Sequence, residues 1–324
     1  MFQFIIFDLG TKLPSGVPFL LETLTKQNIP FFLFNKDNLL TKEFFSTAVV
    51  NQTKQKENLF EQKLQYITLL SKKQNLPPKD CLLITTSPTL ALTAKEQGYI
   101  CFGYTPEGSS VRFPSISLVL EGFDDISLAF LKREFAHAIQ EPAYICETKR
   151  CDIKELPLND IPLLYEMLQQ EVLSYTVTDI HKTITQESIP FLLEPLGTLS
   201  EELEKHEAYI RYVYPFSYYG VWGIYKKETE QLIGRIGITE MMLQNQPEYM
   251  LEYFIHPNYR KCGYATECIN AILHYVQEFE TDTVCVCIHR NNIASLDVLS
   301  HCIFPYEELP DSQPDIRYFR IYLN

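Results

Sequence analysis

Two α/β domains in tandem are what this sequence predicts: a parallel α/β sheet domain over residues 1–140, then a mixed α/β domain over residues 148–324. Three observations predict it. In the first 140 residues, short continuous apolar runs alternate with helical patterns, the signature of a parallel sheet with helices on its faces. In the second half, an antiparallel hairpin pattern precedes a strand, a tight basic turn and a helix. The charge also breaks near residue 140. Residues 1–140 hold 14 Lys and Arg against 13 Asp and Glu, a net of +1. Residues 141–324 hold the other 14 basic and 28 acidic groups, a net of −14.

The 324 residues suit two domains, and 46% hydrophobic with 21% charged residues is the balance of a globular chain. No apolar run reaches the roughly 18 residues that span a bilayer. The start, MFQFIIFDLG, lacks the basic opening of a signal peptide and meets Asp8 early. Nine cysteines without a regular framework then point to a reducing, cytoplasmic setting. Cys285 and Cys287 share a strand face but lack a second Cys or His pair at matching spacing, so they read as core thiols and no metal site is expected. A net acidic second half disfavours nucleic acid as a partner.

In chain order, Phe2–Phe7 is a buried strand ending in the carboxylate of Asp8, and Val17–Leu24 is a helix. Pro30–Phe34, Leu82–Ile84, Tyr99–Phe102 and Ile116–Leu120 continue the sheet. Between them, Leu59–Leu70 places Leu59, Leu64, Ile67 and Leu70 at helical spacing, Leu90–Gln97 is a short helix closed by Gly98, and Ile126–Ala138 is a longer one. Ligands of such sheets sit at the carboxyl ends of strands, where Asp8 falls.

This order, with FIIFDLGTKL and ITTSPTLALTAKEQGYICFGYTPEG, resembles the haloacid-dehalogenase (HAD) fold and its first and last motifs. The resemblance implies a nucleophile at Asp8 and matches Lys54 to the family lysine. Gly10 replaces the second aspartate, Thr85, Thr86 and Ser87 stand where the magnesium-binding acids belong, and Asn35 stands near the expected Thr or Ser. Phosphoryl transfer needs Mg²⁺, and Mg²⁺ needs carboxylate oxygens. The domain therefore reads as HAD-like and catalytically degenerate, with Asp8 a structural carboxylate.

In the second half, Cys151–Leu156 is a strand and Asp160–Glu171 a helix with Ile161, Leu164 and Leu168 on one face. Glu201–Tyr212 is a charged amphipathic helix, and Tyr219–Lys226 with Gln231–Thr239 forms a hairpin around Lys227–Glu230. Met250–Ile255 is a strand, Pro257 and Asn258 break it, and a helix runs from Ala265 to Val276. Thr283–Ile288 and Arg317–Leu323 are strands. The turn between strand and helix gathers backbone N–H groups, a helix start, Arg260 and Lys261, and Gly263 leaves room for close approach. Such a turn suits a pyrophosphate.

Arg260-Lys-Cys-Gly263-Tyr-Ala265 resembles the coenzyme A signature Arg/Gln-x-x-Gly-x-Gly/Ala of the GNAT acetyltransferases. TKRCDIKELPLNDIPLLYEML, the "liGrigl"-like segment around Gly234, and HRNNIASLDVLSHCIF with Asn292, Ser295 and Leu299 extend the likeness over residues 148–324, closest to ribosomal-protein acetyltransferases. It implies acetyl transfer from acetyl-CoA, the cosubstrate, to a primary amine on a small molecule, a protein N-terminus or a lysine. It places the coenzyme on Arg260, Lys261, Cys262, Gly263, Tyr264 and Ala265, with Asn292 and Ser295 beside the pantetheine arm. Backbone donors for the thioester oxyanion come from the fourth strand, around Phe254 and Ile255.

Glu252 on that strand is the candidate general base, or else a solvent-facing carboxylate. Relatives carry a tyrosine where Leu299 stands, so Tyr306 is the candidate for the leaving-group acid. Asn292 also fits an N-cap, and His256 reads as local packing. The acidic surplus points to a cationic acceptor, or serves solubility alone. Two further readings stay open: a phosphatase or acyl-phosphate-processing first half, and a non-catalytic coenzyme A-binding sensor or scaffold.

Overall fold

A computed structural model describes residues 1–10, 12–34, 59–178, 196–217, 219–243, 246–277, 281–310 and 316–324. The chain forms two compact units, Met1–Ala143 and Tyr144–Asn324. Among the described residues no helix is long and apolar enough to cross a membrane. Asn35 and Lys54 lie outside the described residues.

The first unit is built on five parallel strands in the order β2-β1-β3-β4-β5: β1 Phe4–Asp8, β2 Phe31–Leu33, β3 Cys81–Thr85, β4 Ile100–Tyr104 and β5 Val119–Leu120. Side chains of a strand alternate between faces. In β1, Ile5 and Phe7 therefore join one core with helices α1 (Val17–Lys26) and α4 (Leu128–Ala138). Phe4 and Ile6 join the other, with α2 (Leu59–Lys73) and α3 (Pro88–Glu96). A sheet covered on both faces needs continuous apolar strands, which is why FIIF reads without alternation. Ser87 and Ser127 cap α3 and α4 by accepting from the N–H groups of Leu90 and Phe130.

The second unit carries eight strands in the order β12-β13-β11-β10-β9-β8-β7-β6. They are β6 Tyr144–Glu147, β7 Cys151–Glu155, β8 Val221–Lys226, β9 Gln231–Leu243, β10 Gln246–Ile255, β11 Thr283–His289, β12 Tyr306–Glu308 and β13 Ile316–Tyr322. Helices α5 (Ile161–Thr178) and α6 (Leu199–Ala208) precede the central hairpin, α7 (Tyr264–Val276) follows β10, and α8 (Ile293–Ser300) follows β11. One face of the sheet packs against α7 and α8 around the fully buried Trp222, whose indole N–H donates to the Tyr214 hydroxyl. On the other face Phe254, Tyr225 and Leu232 meet Ile161, Leu164 and Leu168 of α5.

The sequence reading and the structure differ at element ends. The helix expected over Glu201–Tyr212 starts at Leu199, behind a Thr198–Glu201 capping box, and gives way to a π-helical turn at Tyr209–Val213. That turn brings the Tyr209 hydroxyl to the Val221 N–H, 3.0 Å away. β10 begins at Gln246 because Glu248 and Tyr249 already pair with Met241 and Glu240. Strand β12, Tyr-Glu-Glu, has no apolar run to announce it, and β6 has only the short run that ends at Cys146.

Candidate functional site

The pairing of β10 defines the site. Against β9 it pairs along its whole length, from Gln246↔Leu243 to Ile255↔Gly234. Against β11 it pairs in parallel at one position, Met250↔Cys285. Past that point no pairing joins Leu251–Ile255 to Val286–His289, which leaves a gap in the ladder between the two strands. Main-chain groups of a strand point to alternate sides. The His256 N–H donates to the Ile233 carbonyl of β9. The amides of Phe254 and Glu252 share that side, so those of Tyr253 and Ile255 face the gap. Arg260 confirms the parity by donating from Nε to the Ile255 carbonyl, 2.8 Å away. Of the two residues the sequence put forward as backbone donors, Ile255 turns its amide to the gap and Phe254 does not. Tyr253, which the sequence did not put forward, turns its amide the same way as Ile255.

The turn follows at once. His256 accepts the Asn258 N–H at Nδ1 and packs on Tyr259, in agreement with local packing. Lys261 and Gly263 both adopt positive φ, 58° and 80°. Gly263 is the N-cap of α7 and brings no side chain to cap it, so the first-turn N–H groups have no side-chain acceptor at the cap. Lys261, Cys262 and Gly263 are exposed, Ala265 is half-buried and Tyr264 is buried. Arg260 commits its Nε to the Ile255 carbonyl and lies over the Phe254 ring, 5.6 Å from its centroid.

Across the gap, Asn292 caps α8 by accepting the Ser295 N–H at 3.0 Å. Among the described residues the buried Tyr253 hydroxyl makes no hydrogen bond of normal geometry, although the Ser295 hydroxyl is near enough to act on it. Burial pushes that hydroxyl up, opposed by the Ser295 hydroxyl and the Arg260 charge. A buried hydroxyl left unpaired costs about 1–3 kcal/mol, so it marks a place where a partner belongs. Leu299 is buried in the core cluster between sheet and helices.

Glu252 points to the opposite face, the one that carries Phe254, and faces Arg235 at 3.6 Å. These side chains are 16% and 18% exposed, so Glu252 is not an open strand carboxylate. Beside them lies a cavity of about 200 Å³ lined by Leu156, Leu164, Leu168, His206, Tyr209 and Arg235, among others. Burial lowers His206 and so favours its neutral form; its Nε2 lies 2.7 Å from the Leu156 carbonyl. Tyr306 is elsewhere. It sits on edge strand β12, with β13 and β11 between it and β10. Its ring meets Phe319 edge-on at 6.1 Å. The sequence placed it by proximity to the Asn292 helix, and the strand order carries it away from the gap.

In the first unit, Asp8 ends β1 and is 2% exposed. Its carboxylate accepts from Lys63 Nζ at 2.6 Å and from the Thr85 hydroxyl at 2.9 Å. Among the described residues, Lys63 on α2 is the amine that meets Asp8.

Residues 152–304 match the family model described as an acetyltransferase (GNAT) domain. No curated protein sequence matches the chain. Among solved structures, a GNAT-family acetyltransferase from Bacillus anthracis is 16% identical, with 56% of this chain and 98% of that one covered at a TM-score of 0.40. A spermidine N-acetyltransferase SpeG chimera from Vibrio cholerae and hSSAT is 13% identical over 53% of this chain and 95% of that one, TM-score 0.38. The ribosomal L7/L12 alpha-N-protein acetyltransferase RimL is 12% identical over 56% and 93%, TM-score 0.42. The second half of this chain thus matches an acetyltransferase (GNAT) domain over residues 152–304, which supports an N-acetyltransferase with acetyl-CoA as its cosubstrate.

Proposed function

We propose that the second unit acetylates a primary amine on a cationic molecule, holding the coenzyme diphosphate on turn 260–265 and its arm in the gap between β10 and β11. The observation that carries this reading is the single Met250↔Cys285 pair followed by an uncapped helix start. The residues present suit the coenzyme. Gly263 is left-handed and presents no Cβ to an incoming anion. Lys261 adds formal charge there, and Cys262, Tyr264 and Ala265 complete the turn. Asn292 and Ser295 border the arm. The Tyr253 hydroxyl, which lacks a well-formed hydrogen bond among the described residues, gains a partner when the gap is filled.

When bound, acetyl-CoA supplies an activated acetyl group on a thiol leaving group. The chain's own contribution is positional and electrostatic. The N–H groups of Tyr253 and Ile255 face the gap as donors for a carbonyl oxygen that gains charge. Glu252, on the opposite face, takes the proton that an ammonium must lose before it can attack, directly or through one water. The Tyr253 hydroxyl donates to the departing sulfur, the role the sequence had given to Tyr306. The acceptor enters along the cavity beside Arg235 and Glu252. The net −14 of residues 141–324 raises the local concentration of a cation, an effect that salt screens over about 8–10 Å.

One kinetic series tests this. A polyamine and a neutral primary amine are compared at low and high salt with wild type, Glu252→Gln and Tyr253→Phe. We expect kcat to fall about 100-fold or more for Glu252→Gln. The preference for the polyamine should shrink as salt rises. Unchanged kcat in both variants would remove Glu252 and Tyr253 from the mechanism, and a salt-independent preference would remove charge steering.

For the first unit, we propose a HAD-like domain without phosphatase activity. The parallel sheet with Asp8 at the end of a central strand supports the likeness. Lys63 and Thr85 occupy the Asp8 carboxylate, and residues 85–87 bring hydroxyls where a Mg²⁺ site needs carboxylates. Purified protein is expected to leave a generic phosphate ester intact with Mg²⁺ present. Hydrolysis that Asp8→Asn abolishes would overturn this.

A further inference from the structure

The turn between β6 and β7 reaches the same helix start from 117 residues away in sequence. Thr148 folds that turn, its hydroxyl accepting the N–H groups of Arg150 at 3.2 Å and Cys151 at 2.8 Å. Arg150 then makes five contacts to the coenzyme turn and the first turn of α7, one of them from its second terminal nitrogen to Glu267 Oε2 at 2.7 Å. Its main-chain N–H donates to Glu267 Oε1 at 2.8 Å, and its Nε donates to Oε2 at 2.7 Å. One terminal nitrogen donates to the Cys262 carbonyl at 2.9 Å. The guanidinium also lies over the Tyr264 ring, 4.2 Å from its centroid. A Cβ built on Gly263 would stand 3.4 Å from the other terminal nitrogen.

Glu267 explains why such a clamp is needed. A carboxylate in the first turn suits an isolated helix. At a helix start that must receive an anion, it opposes the ligand. Burial by itself would raise Glu267, yet hydrogen bonds from Thr148 and from the Arg150 main chain and side chain hold it below the usual carboxylate range. It is ionised, close to the diphosphate position, and its charge must be cancelled. The Cys262 carbonyl is a second negative end at the same place. A donor that holds it aside leaves the N–H side of the turn to the anion.

We propose that Arg150 is a positioning residue of the coenzyme site, which cancels the charge of Glu267 and ties back the Cys262 carbonyl so that turn 260–265 presents a net positive field to the diphosphate. This rests on the reading of that turn as the diphosphate site. Arg150 stays on Glu267 and Cys262 when the coenzyme binds, so its effect is electrostatic and indirect.

The test is calorimetric titration of coenzyme A into wild type, Arg150→Ala, Glu267→Gln and the double variant. Melting of each unliganded protein checks the fold. Arg150→Ala should weaken binding about 10- to 100-fold, because an ionised carboxylate is left unpaired beside an anion. Glu267→Gln should tighten it, and adding Glu267→Gln to Arg150→Ala should bring affinity back to within about threefold of wild type. Turnover of acetyl-pantetheine, which lacks the diphosphate, should be unaffected by Arg150→Ala. If Arg150→Ala does not fold, Glu267→Gln alone decides: tighter binding supports the inference and unchanged binding overturns it. A double variant as weak as Arg150→Ala, or an equal loss with acetyl-pantetheine, also overturns it. Wild type that binds no coenzyme A would instead refute the underlying site.

Discussion

Gly263→Asp should abolish coenzyme binding while the protein stays folded. The position has φ +80° and lies at the uncapped start of α7. An aspartate there adds a carboxylate where the diphosphate must approach, and like charges forced together at a binding site cost several kcal/mol. That corresponds to a loss of affinity on the order of 100- to 1,000-fold. The new carboxylate would also lie within reach of Arg150 and draw it from Glu267. Gly263→Ala is the milder control: it carries the left-handed strain, about 1–2 kcal/mol, without the charge. Titration calorimetry with coenzyme A separates the two. Wild-type affinity in a folded Gly263→Asp protein would show that the turn does not hold the diphosphate.

Gly234→Val should be the most destabilising single change in the second unit. Gly234 lies in β9 opposite Ile255, and a Cβ there would stand 2.1 Å from the Phe254 carbonyl oxygen. The obstacle is backbone, so no side-chain rotation relieves it. β10 must move away from β9 at the end that borders the gap. Overpacking of this kind costs about 3 kcal/mol or more. For a unit of this size the transition should fall by roughly 6–12 °C. Scanning calorimetry reads it directly, and an unchanged transition would mean that β9 and β10 do not approach as closely as the structure has them.

The elements were legible where physics acts locally. β1 is apolar without alternation because helices cover both faces of its sheet, and the α7 stripe from Cys268 to Val276 announces its core face. The strand–turn–helix over residues 250–276 was legible because Arg260, Lys261 and Gly263 stand together between strand and helix. What no local pattern encodes depends on distant partners. Whether Phe254 or Tyr253 turns its amide to the gap is decided by the register of β10 on β9, which no local pattern encodes. Tyr306 follows the Asn292 helix in sequence, but a chain that returns through β13 leaves it on the sheet edge. Lys63 reaches Asp8 because of the phase of α2, a contact that no motif announced. Arg150 carried no motif, and its partner Glu267 comes 117 residues later.

A crystal structure of the protein with a non-hydrolysable acetyl-CoA analogue tests the central claim most directly. The account predicts the diphosphate on the N–H groups of turn 260–265 and the arm between β10 and β11, with its carbonyl within hydrogen-bond distance of the Tyr253 or Ile255 N–H. Coenzyme bound away from this turn, or β10 and β11 paired continuously beyond Met250 with the analogue present, would contradict it.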